Sequence, residues 1–226
     1  MDHYKVLAVT SSTLSVVVAL ILGNIANYFL IDNGLLLLVV LSLIILLSSI
    51  YTIIINFFIN SVSAVRRIIL GRQYLEGLWI DRVTRNDAVI GYGLITVSSD
   101  LENIRINGEW YDPAFKQKGE TFQSYHLKIE WPLITFIHSA HRPDKAHTPT
   151  INGITVIDIQ ENIRGPPTQW TGYFTDTLEN TYNNTIAYKI TDKALIRKLT
   201  NSMTKKDAIK EFVGKTFEKP LAATAE

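Results

Sequence analysis

The chain has 226 residues, a net charge of +1 and no cysteine. Those averages conceal two unlike halves: residues 6–31 and 33–65 hold no Lys, Arg, Asp or Glu, and every charged residue except Asp2, Lys5 and Asp32 lies from Arg66 onward. The missing cysteines exclude disulfide staples and thiolate chemistry, and the lack of Asp, Glu, Lys, Arg or His within the apolar runs argues against a proton relay, a transporter or a voltage sensor.

The apolar half comes first. A helix needs roughly 20 apolar residues to cross a bilayer, whereas a cleaved signal core is about 7–15. The run through VLAVTSSTLSVVVALILGNIANYFLI is longer than that, and a second run, Gly34 to Phe58, follows at once. Asp32-Asn33-Gly34 between them reads as a tight polar turn. Residues 1–65 are therefore expected to form an antiparallel two-helix transmembrane hairpin. Lys5 precedes the first helix and Arg66, Arg67 and Arg72 follow the second. By the positive-inside rule both termini are cytoplasmic.

Each run carries a row of small or polar residues one helical turn apart. The first is Ser11, Ser15, Ala19, Gly23 and Asn27; the second is Ser48, Thr52, Asn56 and Asn60. Lipid supplies no hydrophobic force between helices, so close packing through such residues does that work. The two rows could close one hairpin on itself, or at least one could face a second copy of the chain. Ser15, Ala19, Gly23, Asn27, Ser48, Thr52 and Asn56 are the expected association residues.

After a basic juncture at 66–73 the pattern changes. LEGLWIDRV (75–83), AVIGYGLITVSS (88–99), ENIRINGEWYD (102–112), TFQSYHLKIEW (121–131), LITFIHSAH (133–141), NGITVIDIQEN (152–162), QWTGYFTDTL (169–178) and NNTIAYKIT (183–191) are rich in Ile, Val, Thr, Tyr and Trp and bounded by Gly, Pro, Asn and Asp. That is the signature of strands. An all-β domain of eight antiparallel strands over 74–191 leaves two sheet edges unless it closes, so a small lipocalin-like eight-stranded barrel is expected. A β-sandwich is the alternative. Gly77-x-Trp79 is similar to the lipocalin-type pattern in which a Trp packs across one barrel end. Residues 192–226 turn helical: Thr191 suits an N-cap of the first helix, and Thr204 with Asp207 has capping-box spacing before the second.

Catalytic signals are weak. His138 and His141 lie three apart, on opposite faces of a strand, and His147 follows in a loop, so no metal site is expected and surface or loop positions are the plain reading. Asp158 and Glu161 fall on opposite faces too. There is no Gly-x-Ser-x-Gly and no Gly-rich phosphate loop before a helix. No enzyme, cofactor or metal is expected. Binding signals are stronger, because Trp and Tyr are interleaved with Arg along the strands. Aromatic faces stack on bases and guanidinium forks hold phosphate. Arg82, Arg105 and Arg142 are the candidate phosphate ligands, and Tyr111, Trp131 and Tyr173 the candidate base ligands. On alternation Trp79 and Asp81 share one face and Arg82 takes the other; Arg105 and Tyr111 share a face.

The order of parts, with the VLAVTSSTLSVVVALILGNIANYFLIDNG hairpin, LEGLW at the first strand and GEWYD in the third, resembles the membrane-bound, STING-like β-barrel effectors of the bacterial CBASS antiphage system. The resemblance spans essentially the whole chain. It implies an inner-membrane protein whose cytoplasmic barrel binds a cyclic dinucleotide made by a partner cyclic-nucleotide synthase. Homo-oligomerisation and disruption of the lipid bilayer would follow. No polymeric nucleic acid is implied as a partner. Two other readings stay open: a membrane-tethered lipocalin-like carrier of a lipid or hydrophobic small molecule, and a structural scaffold with a filled barrel.

Overall fold

The computed structural model describes residues 13, 16–17, 20–21, 23–24, 34–99, 104–141, 151–163, 165–176 and 181–218; the side chains of 34–41, 43–45, 47–48, 118–119, 151–152 and 176 stand outside this description. The chain divides into two compact units: Met1–Tyr74 with Ser99–Asn103, and Leu75–Ser98 with Ile104–Glu226.

In the first unit, Thr13, Val16, Val17, Leu20, Ile21, Gly23 and Asn24 are helical. The rest of the expected first membrane helix lies outside the described residues. The second run forms one helix, α1 (Gly34–Ser61), of 28 uncharged residues. It outruns the expected Phe58 by three residues. Val62, with extended φ and ψ, then breaks the helical path before α2 (Ser63–Leu70) and a 3-10 turn at Gly71–Gln73. The segments Ser49–Ser61 and Ser63–Gln73 meet at 93°. Among the described residues no single helix is long and apolar enough to cross a membrane, though that bent pair passes by length and composition together. The expected basic juncture at 66–73 is thus largely helix. Its Arg66 is buried and its Nη1 donates to the backbone carbonyls of Ile59, at 2.7 Å, and Asn60. These are carbonyls that the end of α1 leaves without intrahelical donors. Ile59 and Leu70 form a small buried cluster beside them.

The second unit is a closed antiparallel barrel of eight strands in sequential order: β1 (Gly77–Arg85), β2 (Ala88–Ser99), β3 (Ile104–Tyr111), β4 (Gln117–Glu130), β5 (Leu133–His141), β6 (Ile151–Gln160), β7 (Gln169–Asp176) and β8 (Thr181–Lys189). β8 pairs back onto β1, Trp79 opposite Lys189. Closure removes both sheet edges, and the sandwich alternative with them. Asn86 and Asp87, both with positive φ, make the tight β1–β2 turn, as a two-residue hairpin of primed type requires. At His126 β4 carries a bulge: Tyr125 pairs with Ile137 but Lys128 with Thr135.

Alternation sorts the side chains into lumen and exterior. One end of the lumen is plugged. Trp79 and Trp170 stack there at 4.0 Å and 29°, packed with Val97, Ile104, Ile129, Ile134 and Ile159. The Trp79 Nε1 donates to Leu75 O at 2.9 Å. The expected Gly-x-Trp packing is present, at the end where the chain joins the barrel. On the exterior of β1–β3, Ile80, Tyr92, Leu94 and Tyr111 are covered by α3 (Lys193–Thr200) and α4 (Lys205–Thr216). Asp192, not Thr191, caps α3, accepting from Ala194 N at 2.8 Å. Thr204 makes no side-chain cap to α4; its hydroxyl donates to Lys198 O at 2.7 Å instead.

Candidate functional site

Above the tryptophan plug the lumen holds a cavity of about 320 Å³, within the range of small-ligand pockets. Its lower walls are Ile95, Ile106, Phe136 and Ile157. Half-buried Arg85, Trp110, Glu120 and Phe174 form its rim. The rim side chains come from the ends of β1, β3, β4 and β7 that lie opposite the plug, so the cavity opens there.

Glycines on the lumen face make room for what points inward. A Cβ on Gly93 would collide with the Asp81 carboxylate, and one on Gly91 with the Trp110 ring. Asp81 is the polar centre. Its Oδ2 accepts from Thr185 Oγ1 at 3.0 Å, while Oδ1 is buried with no hydrogen-bond partner. Burial pushes its carboxyl from 3.8 up to about 7, against smaller lowerings by the Thr185 hydroxyl and by the backbone N–H groups of Gly93 and Asp81, which lie close to the carboxyl without making a well-aligned hydrogen bond to Oδ1. Desolvation disfavours the charged form and prevails here. Across the lumen His138, buried, shares a 2.9 Å hydrogen bond between Nδ1 and Thr155 Oγ1 and meets Phe174 edge-on. Arg85 donates to Asn183 Oδ1 at 2.8 Å and to Thr181 Oγ1 at 3.1 Å. Polar atoms thus sit at two depths within apolar and aromatic walls. That arrangement can hold one small ligand with a polar core and flat faces. Among the described residues no group of His, Asp and Glu could hold a metal ion.

The expected ligand residues fall elsewhere. Arg82 lies outside the barrel, half-buried, with its guanidinium 5.2 Å from the Phe217 ring. Arg105 is exposed on the exterior of β3. Tyr111 is buried beneath the C-terminal helices; its hydroxyl donates to Glu109 at 2.8 Å, and Glu109 pairs with Lys205 at 3.0 Å. Burial and that carboxylate raise its pKa. Trp131 follows β4 near the plugged end and donates to Glu161 Oε1 at 2.7 Å. Tyr173 is on the exterior, stacked on Tyr182 at 4.8 Å. Arg142 lies outside the described residues. None of the five described residues lines the cavity. His138, expected at a surface or loop position, is a lumen residue. The cavity is lined instead by residues not singled out as ligands from the sequence, among them Asp81, Arg85, Trp110 and Thr185. Trp79 carried the signal for them: once it is the plug, alternation sends Asp81, Val83 and Arg85 inward and Arg82 outward.

Of the association residues, Gly23 is helical with open space around its Cβ position, and Ser48, Thr52 and Asn56 lie on α1. Ser15, Ala19 and Asn27 lie outside the described residues.

Comparison with protein-family models and with curated proteins gives no match.

Proposed function

We propose that the chain is a membrane-anchored receptor of the cyclic-oligonucleotide antiphage kind: the barrel binds a cyclic dinucleotide in the cytoplasm, and the N-terminal helices then assemble and breach the inner membrane. The observation that carries the reading is the cavity of about 320 Å³, walled by aromatic and aliphatic side chains with Arg85 at its rim. Aromatic faces suit bases and a guanidinium suits a phosphate. The uncharged α1 supports an anchor in lipid. For the ligand to drive assembly it must bind the assembled state better than the single chain. No catalytic step belongs to this reading.

A second reading, a carrier of a hydrophobic small molecule, has the apolar lower walls in its favour. Titration calorimetry of the full chain in lipid nanodiscs decides between them. Saturable binding of cyclic di-AMP, cyclic di-GMP or cyclic di-UMP, without binding of a fatty acid, is expected. Fatty-acid binding with no nucleotide binding overturns the receptor reading.

A further inference from the structure

The lumen is polar at two levels, and the levels differ in kind. Arg85 ends β1 at the rim. Asp81, four residues earlier on the same inward face, sits about 13 Å back along the strand at roughly 3.3 Å per strand residue, and so deeper in the lumen. A carboxyl group has capacity for several hydrogen bonds. At Asp81 only Oδ2 uses it with a side-chain partner, Thr185, and Oδ1 uses none. A buried polar atom left without a partner is costly. The cavity borders this group. Charged, the carboxyl only accepts; protonated, it accepts at one oxygen and donates at the other, so an edge that carries an N–H beside an acceptor completes either form. A phosphate diester has no N–H to give, and the charged carboxylate would repel it.

We propose that a ligand enters the lumen with a neutral, N–H-bearing end first, to be met by Asp81 and Thr185, and keeps its anionic part at the mouth beside Arg85. The inference rests on the receptor reading and deepens it. One nucleobase goes down the barrel, its N–H edge on Asp81, and the phosphate ring stays at the rim. Asp81 then sets which base is preferred, and Arg85 contributes affinity without regard to the base.

Titration calorimetry of the full chain in nanodiscs, with cyclic di-AMP, cyclic di-GMP and cyclic di-UMP as probes, tests this with three variants. Near-UV circular dichroism of the stacked tryptophans reports that each is folded. Asp81→Ala is expected to lose about tenfold in affinity for the tightest probe and to narrow the spread among the three. Asp81→Asn, which keeps an acceptor, is expected to stay within a few-fold of the parent. Arg85→Gln is expected to weaken all three probes by a similar factor, about tenfold. Parent-like affinities and spread in Asp81→Ala, in a protein that binds nucleotide, overturn the inference and leave the receptor reading standing. Failure of the parent to bind any probe overturns the receptor reading and the inference with it.

Discussion

Asp81 is where a single residue decides most. In the folded barrel its carboxyl titrates near 7, whereas the free side chain titrates at 3.8. The fold therefore favours the protonated form. The stability tied to this group is complete below pH 4 and is lost as pH rises toward 7, because unfolding then releases a carboxyl to ionise in water. Between pH 5 and pH 8 the loss is roughly 2–3 kcal/mol. Thermal unfolding followed by near-UV circular dichroism should show the parent losing stability across that interval and Asp81→Asn losing less. Equal slopes for the two proteins would contradict the assignment. The residue types that make the site were visible in the sequence; their depth was not. Arg82 and Arg85 are alike as letters, yet one lies against Phe217 outside the barrel and the other rims the cavity. Only a fixed point such as Trp79 tells the two faces apart, since alternation gives their relation and not their direction.

At the scale of elements, the strands were legible because β-branched and aromatic runs between turn residues have no other good conformation. Helix ends were less so. Asp192 and Thr191 both suit an N-cap, and only the bond to Ala194 N chooses between them. Thr204 and Asp207 have the spacing of a capping box, but the Thr204 hydroxyl is engaged by α3. The break at Val62 had no glycine or proline to announce it. What holds it is Arg66, whose guanidinium turns back to the terminal carbonyls of α1. Hydrogen bonds from a charged donor are worth about 1.5–3 kcal/mol. Arg66→Leu should therefore fray the last turn of α1, raising amide exchange at residues 58–62 by about tenfold in nanodiscs. Unchanged exchange there would mean that the arginine is a passenger at the bend.

The whole molecule joins a unit whose long helix, α1, carries no charge to a barrel that is plugged at one end and open at the other. Closure of the sheet was foreseeable from eight short strands with no device to protect an edge. Self-association was not decidable from the small-residue rows, because a hairpin and an oligomer use the same packing. The anchored arrangement predicts that protease added outside intact spheroplasts leaves the barrel uncut and that lysis exposes it; digestion before lysis would place the barrel on the wrong side for a cytoplasmic messenger. Trp110 offers the most direct view of the central claim, since its ring borders the cavity at the rim, whereas Trp170 borders it from the plug that it forms with Trp79. Tryptophan emission of the full chain in nanodiscs, titrated with the tightest-binding cyclic dinucleotide, should change saturably, and Trp110→Phe should reduce that change. Nucleotide binding that leaves the Trp110 emission untouched would put the ligand outside the lumen and contradict the account.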